Sequence, residues 1–240
     1  MSIGGVLSEG LLIYRRLWRR SIVVAGLISI VVALADALAA SAATRATQLV
    51  SLGLGLIGGL LVQGALVEVV RDLHESRPPQ AVPVYYERTR GRLGTLIGSA
   101  VAYGLGVVIG FILLIVPGLI AIARWSLIVP LIVIEKQGWR EAFTRSSQLV
   151  RGRTGRVLVL IVVANILGGI AQVGIRSLFT SLPDFWEFWL GGTIAGALIV
   201  PFEAHVLTAL YYRLTEPERP VLPETAPPKA WESVWDENRE

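Results

Sequence analysis

The sequence predicts an all-α protein, an integral membrane bundle of six transmembrane helices with amphipathic elbow helices in its cytoplasmic connections. Two features of the composition support this class. Of the 240 residues, 53% are hydrophobic and 17% are charged, and the mean hydropathy is +0.62. Soluble domains carry about 25% charged residues, so this chain has too few polar groups to cover a water-exposed surface.

Six stretches are long and apolar enough to cross a bilayer, which takes about 20 residues for a hydrocarbon core about 30 Å thick. They are residues 21–40, 48–70, 95–116, 119–134, 157–175 and 189–212. We divide the third from the fourth at Pro117-Gly118, because such a pair is typical of a turn. The fourth span is short and contains Pro130, so we expect it to be kinked or partly re-entrant.

The basic residues predict the orientation of these spans. If the chain crosses six times, all but three of the 22 Lys and Arg residues lie on one side. The exceptions are Arg45 and Arg176 on the opposite side and Arg124 within a span. Because cytoplasmic loops retain Lys and Arg, we expect a multi-pass protein of the bacterial cytoplasmic membrane with both termini cytoplasmic. The net charge of +4 then faces the anionic leaflet, which favours membrane lipid over nucleic acid as a partner.

The sequence divides into three regions. Residues 1–20 carry apolar side chains at helical spacing, which predicts an amphipathic interfacial helix; a simple positively charged flank is the alternative. Residues 21–214 form the six-helix transmembrane domain. Residues 215–240 are acidic and rich in Pro, which predicts disorder. Small residues after the first apolar run leave open a cleaved signal peptide, although the long stretch before that run argues against it.

The two long cytoplasmic connections share a motif. The sequence RGRxG occurs at 90–94 and again at 151–155, and each copy opens a predicted span. A segment with helical character precedes each copy, at residues 83–90 and 139–150. These features predict two elbow helices and a duplicated unit of descending span, elbow and ascending span in parallel orientation. A chance match between two Arg-rich flanks is the alternative.

Charged and polar residues inside the predicted spans are candidates for function, because their burial in lipid is costly. Asp36 and Arg124 lie at a similar depth near the outer boundary, so they are candidates for an ion pair that fixes helix register, binds an anionic headgroup or forms a gate. Asn165, Glu203 and His205 also share a depth. They are candidates for a proton relay, a cation site or a structural polar contact. Glu203 and His205 are two positions apart on one helix, so they point in different directions.

Signatures of catalysis and of metal binding are absent from the sequence. It has no Cys, and His74 and His205 are its two histidines, which excludes thiolate zinc sites, iron–sulfur clusters and CxxC redox chemistry. It also has no HExxH, GxSxG or GxxxxGK[ST] motif and no acidic cluster suited to Mg²⁺. We therefore expect no cofactor, no metal and no enzymatic activity.

A central stretch of the sequence resembles a known family. The matching positions are Val116-Pro117-Gly118-Leu119, Arg124-Trp125, residues 129–135, Gly138, Ala142-Phe143, Arg145-Ser146 and residues 149–152, with Tyr211-Tyr212-Arg213-Leu214 near the end. This pattern is similar to the bacterial family named after the membrane domain of glycerophosphoryl diester phosphodiesterase, which includes YciC-like six-span proteins. The resemblance implies a six-helix bundle with amphipathic elbows. It does not imply phosphodiesterase activity, which belongs to a separate barrel domain in the full-length enzymes.

These observations together predict a non-catalytic accessory, scaffolding or lipid-interacting protein. We expect the second elbow to rest on anionic headgroups through four arginines, Arg140, Arg145, Arg151 and Arg153. Another membrane protein or a second copy of the chain is a further candidate partner. The alternative is a transporter or permease component with a polar intramembrane site near Glu203.

Overall fold

The computed structural model describes residues 2–216, and every regular element within them is helical. The predicted disordered tail, residues 215–240, lies outside the described residues except for Thr215 and Glu216. A π-helical turn, Glu187–Gly191, precedes the last helix. The α-helices are α1 (Ile3–Ala42), α2 (Arg45–His74), α3 (Val82–Arg90), α4 (Leu93–Leu113), α5 (Ile115–Arg124), α6 (Ile128–Ile134), α7 (Trp139–Val150), α8 (Thr154–Ser177), α9 (Asp184–Trp186) and α10 (Gly192–Thr215).

The described residues contain six helical segments that are long and apolar enough to cross a membrane by length and composition. Four of them are single helices, α1, α2, α4 and α8. The other two are composite: α5 with α6 forms Ile115–Ile134, and α9, the π-turn and α10 form Asp184–Thr215. The described part of the chain is therefore all-helical, and its long apolar helices are compatible with the multi-pass membrane bundle that the apolar pattern predicts.

The predicted turn between the third and fourth spans is displaced. We expected it at Pro117-Gly118, but α4 ends at Leu113 and the extended residue Leu114 forms the connection. Pro117 is instead in the first turn of α5, where its missing N–H would have no helical partner in any case. The prediction of a kink in the fourth span is confirmed, because residues 125–127 interrupt the segment between α5 and α6.

Residues 3–20 are helical, as predicted, but they do not form a separate helix. The first helix continues from Ile3 to Ala42 without a break, a length of about 60 Å at 1.5 Å per residue. Its first part packs against α10: Val6 and Ile13 are fully buried, and Gly10 lies directly against Val206. One side of this segment therefore faces α10, whereas Leu11 and Trp18 remain 47% and 49% exposed. The interfacial placement of the segment stays a prediction.

The two elbow helices are confirmed as α3 and α7. The RGRxG turns that follow them share one backbone hydrogen bond, but their glycines differ: Gly91 has a helical φ of −60°, whereas Gly152 has a left-handed φ of 76°. The N–H of Arg92 donates to Thr89 at 2.8 Å, and the N–H of Arg153 donates to Val150 at 2.9 Å. In both copies this arginine then precedes the first residue of a long helix, α4 or α8. The duplication of the whole unit stays a prediction.

The core is concentrated at one end of the bundle. We call this the Arg-rich end; it consists of α3, α6, α7, the first part of α1, the last part of α2 and the last part of α10. Fully buried side chains there include Leu66, Tyr85, Leu131 and Leu210. Long stretches of α4 and α8 leave apolar side chains exposed at the other end.

Two cavities beside Trp125 as the candidate functional site

One side chain of α7 stabilises the interruption between α5 and α6 by hydrogen bonds. A break in a helix leaves backbone groups without their helical partners. The buried hydroxyl of Ser146 satisfies two of them: it donates to the carbonyl of Arg124 at 2.6 Å and accepts from the N–H of Leu127 at 3.3 Å. Because of this contact, α7 fixes the backbone of residues 124–127, from which side chains extend into two different cavities.

The first cavity lies between this break and the polar face of α7, and we call it the arginine cavity. Its volume is about 400 Å³. It is lined by Arg124, Trp125, Phe143, Thr144, Ser147, Gln148 and Arg151. Both arginines are exposed, and within residues 2–216 neither guanidinium forms a hydrogen bond or an ion pair. The cavity therefore presents two uncompensated positive charges.

The second cavity lies inside the bundle, and we call it the Glu203 cavity. Its volume is about 300 Å³, and helices α2, α4, α5, α6, α8 and α10 contribute to it. Most of its lining is apolar. The polar side chains that face it are Gln63, Ser99, Tyr103, Ser126, Asn165 and Glu203, together with the indole of Trp125. The predicted proximity of Asn165 and Glu203 is confirmed, since both line this space.

Aromatic rings run from one cavity to the other. Tyr103 meets Trp125 edge-on with ring centroids 6.3 Å apart, and Trp125 meets Phe143 edge-on at 5.0 Å. Trp139 continues the row, 6.5 Å from Phe143. Edge-to-face pairs at these separations are favourable. The indole of Trp125 thus forms a wall between the two cavities and belongs to both.

The family model described as Domain of unknown function (DUF7847) matches residues 80–215, more than half of the chain. The chain belongs to the DUF7847 family. The matched DUF7847 region contains α3 to α10 and all of the arginine cavity; α2 adds Gln63 to the Glu203 cavity from outside the match. No curated protein and no solved structure matches the chain. The resemblance to the glycerophosphoryl diester phosphodiesterase membrane-domain family stays a prediction.

The predicted pair of Asp36 and Arg124 is not formed. Asp36 accepts a hydrogen bond from Ser51, which joins α1 to α2. Arg124 lies in the DUF7847 region beside α7 and faces Arg151 across the arginine cavity. The prediction failed because depth along a span gives the position of a side chain along the helix axis, but not the neighbouring helix toward which it points.

His205 does not belong to the Glu203 cavity. Its ring is fully buried against α1, where Nε2 lies 2.8 Å from the hydroxyl of Ser21. Glu203 is half-buried on another face of α10 and lies against Gly168 of α8. The prediction that these two residues point in different directions is confirmed.

The four elbow arginines of the DUF7847 region have different surroundings. Arg151 lines the arginine cavity, and Arg140 is exposed with its guanidinium 4.9 Å from the ring centroid of Trp139. Arg145 lies 3.8 Å from the carboxylate of Glu135, and Arg153 is exposed at the start of α8. The structure therefore joins Arg151 with Arg124 instead of forming one four-arginine patch.

Residues 211–213 connect α10 to three other segments at the Arg-rich end. In the sequence these residues were noted only for the family resemblance. The hydroxyl of Tyr211 donates to Glu135 at 3.0 Å, and the ring of Tyr212 lies 3.9 Å from that of His74. Arg213 pairs with Glu9 and also donates to the carbonyl of Gly5 at 2.9 Å. Three consecutive side chains of α10 therefore hold three other segments of the bundle.

A second polar cluster at this end joins α2 to the first elbow. Arg88 of α3 lies 3.4 Å from the carboxylate of Glu68 and 3.2 Å from that of Asp72, and both carboxylates are buried. Arg20 of α1 donates to the hydroxyl of Tyr85 at 3.3 Å. Nothing in the sequence singled out these pairs.

Burial changes the ionisation of groups at the ends of these helices. It raises the pKa of Tyr85, and it raises the pKa of Tyr86, whose hydroxyl donates to the carbonyl of Val24, to about 12. For Glu75 burial opposes ionisation, but the hydrogen bond and charge of Arg71, with the charge of Arg77, outweigh it and lower the pKa below its usual range. Both tyrosines therefore stay neutral at pH 7, and Glu75 stays charged.

Proposed function

We propose that the protein is a non-catalytic integral membrane protein of the bacterial cytoplasmic membrane that binds the headgroup of an anionic phospholipid in the arginine cavity. Both termini and both elbows are cytoplasmic in this proposal. The observation that carries it is the pair Arg124 and Arg151, which line one cavity without an ion-pair partner within the described residues.

The chemistry of the arginine cavity fits a phosphodiester. Guanidinium groups donate paired hydrogen bonds to phosphate oxygens, and such charge-assisted bonds are among the stronger ones in proteins. Ser147 and Gln148 add further donors on the same face of α7, while Trp125 and Phe143 supply an apolar floor. A basic side chain near an anionic leaflet gains about 1 kcal/mol of attraction. Headgroup binding there would also hold α7 at the membrane surface.

Lipid retention tests this proposal. The full-length protein is purified in detergent with equal amounts of phosphatidylglycerol and phosphatidylcholine, and bound lipid is counted by native mass spectrometry. We expect wild type to retain phosphatidylglycerol and the double variant Arg124→Gln/Arg151→Gln to retain about tenfold less, which corresponds to about 1.4 kcal/mol.

The matched control is Arg90→Gln. Arg90 is the first arginine of the other RGRxG copy, so it corresponds to Arg151, but it does not line the arginine cavity. Its substitution should leave phosphatidylglycerol retention unchanged. Equal loss in Arg90→Gln and in the single variant Arg151→Gln would show that total charge decides retention, and no loss in the double variant would exclude the cavity as a headgroup site.

The Glu203 cavity supports a second candidate function, a transporter or permease component. A transporter needs a polar cavity near the middle of the membrane, and functional side chains in such cavities are ionisable or polar. The carboxylate of Glu203 and the amide of Asn165 share such a space. In proteoliposomes, flux of a transported cation should be lost in Glu203→Gln and retained in Asp36→Asn. Equal flux in both variants would exclude this role for the cavity.

A further inference from the structure

The carboxylate of Glu203 has no counter-charge in its surroundings. Within residues 2–216 it forms no hydrogen bond and no ion pair, and no Lys, Arg or His lines the cavity. Gly168 makes room for it: a methyl group there would lie 2.5 Å from Oε1 of Glu203. A carboxylate in an apolar bundle is costly unless something compensates it, so this arrangement calls for a cation or a proton.

The other polar side chains of the cavity present both donors and acceptors. Three of them donate one hydrogen to a backbone carbonyl three or four residues earlier. Ser99 donates to the carbonyl of Leu96 at 2.7 Å, Ser126 to Ala123 at 2.9 Å, and Asn165 to Ile161 at 2.8 Å. Donors remain on Gln63 and Tyr103, on the second amide hydrogen of Asn165 and on the indole N–H of Trp125. The cavity therefore offers both donors and acceptors, and the formal charge among its lining side chains is the carboxylate of Glu203, which is best matched by a positively charged ligand.

Size and shape favour an organic cation over an inorganic ion. A water molecule occupies about 30 Å³ of liquid volume, and ligand cavities begin at about 300 Å³. The volume of about 300 Å³ thus exceeds what a small ion needs. The indole of Trp125 and the phenol of Tyr103 line it, and aromatic faces attract quaternary ammonium groups. Residues such as Leu160, Val206 and Leu207 supply the apolar wall.

We propose that the Glu203 cavity binds an amphipathic organic ammonium cation, with the charged nitrogen held by Glu203 and the aromatic rings of Trp125 and Tyr103, and the apolar part against the aliphatic wall. The ligand reaches the cavity from the bilayer, because Asn165 is both a lining residue and exposed on the outer surface of α8. This site has the location used by the second candidate function but does not depend on flux, since binding alone is sufficient. It is also independent of headgroup binding in the arginine cavity.

Direct binding tests the proposal. Tritiated benzyltrimethylammonium is titrated onto the full-length protein in nanodiscs of phosphatidylcholine, whose zwitterionic headgroup limits background attraction. We expect saturable binding to wild type and at least tenfold weaker binding to Glu203→Gln. Asp36→Asn is the matched control, because Asp36 is another carboxylate of a spanning helix, and its binding should equal that of wild type. Arg124→Gln/Arg151→Gln should also bind normally, which separates this site from the lipid site.

Two competitors identify the chemical class of the ligand. Neopentylbenzene has the shape of the probe without its charge, and it should fail to displace the probe; displacement with equal potency would overturn the proposal in favour of a merely hydrophobic cavity. Displacement by millimolar Na⁺ at constant ionic strength would overturn it in favour of an inorganic cation site.

A second variant keeps the test decisive if Glu203→Gln fails to fold. Asn165→Leu removes an acceptor from the exposed surface of α8, where substitution leaves the core intact. We expect probe binding to weaken several-fold with an unchanged melting temperature. If Glu203→Gln does not fold, wild-type affinity in Asn165→Leu would by itself overturn the assignment of the site.

Discussion

The two ends of the bundle differ in what holds them together. At the Arg-rich end, leucines such as Leu131 and Leu210 are fully buried, and ion pairs such as that of Arg88 with Asp72 cross between helices. At the opposite end, Ile112, Leu113 and Leu178 are exposed by 78%, 69% and 76%. One end therefore resembles the core of a water-soluble domain, whereas the other leaves its apolar side chains for lipid.

This difference shows which interactions stabilise each end. Helices gain little from apolar burial against each other in lipid, so close approach through small residues matters more there. Gly192 and Gly196 of α10 lie directly against Ala33 and Ser29 of α1 in this way. The Arg-rich end instead uses large side chains and charge pairs, so we expect it to supply most of the free energy of unfolding that is measured in detergent.

Truncation of one leucine at each end should show the largest contrast. Leu210→Ala removes a fully buried side chain, and such changes cost about 2–5 kcal/mol. Leu113→Ala removes the same atoms from an exposed position and should change stability by less than about 0.5 kcal/mol. Denaturant unfolding in a mild detergent measures both. Equal losses would mean that the two ends contribute equally to stability.

Removal of one charge from the Arg-rich end should have the next largest effect. Arg88→Met leaves the buried carboxylates of Glu68 and Asp72 with fewer partners. Breaking a buried pair costs about 3–5 kcal/mol, and because the side chain of Arg88 is 35% exposed we expect about 2 kcal/mol. Arg90→Met, on the same helix, is the control: Arg90 is exposed and should tolerate the change. A free energy of unfolding that Arg88→Met leaves unchanged would contradict this account.

The sequence contains enough information to predict features that depend on local pattern. Apolar runs predicted six candidate spans. The short length of the fourth run, together with Pro130, predicted the break before α6. The helical character of residues 83–90 and 139–150 predicted both elbows, because the pattern of a short helix lies within its own residues. Asn165 and Glu203 were predicted to share a depth, because helices of known rise and orientation fix position along the membrane normal.

Features that depend on contacts between distant residues could not be predicted. Tyr211 pairs with a residue 76 positions away and Arg213 with one 204 positions away, and no periodicity reports such partners. Arg124 was assigned to Asp36 because depth does not give rotation about a helix axis or the order of helices around the bundle. The continuation of α1 through residues 1–20 was missed because an amphipathic stripe looks the same whether it faces a leaflet or another helix.

The smallest change in stability that we predict concerns the contact of α1 with α10 at Gly10. A methyl group there would lie 2.7 Å from Cγ2 and 3.0 Å from Cα of Val206, so Gly10→Ala forces α1 away from α10. Overpacking costs about 1–3 kcal/mol, and the better helix propensity of Ala returns about 1 kcal/mol, so a net loss of about 1 kcal/mol is expected. Gly4→Ala, with nothing within 4 Å, should instead gain slightly from propensity. Thermal unfolding in detergent distinguishes the two signs, and a gain in both variants would mean that the first part of α1 lies on the membrane surface and not against α10.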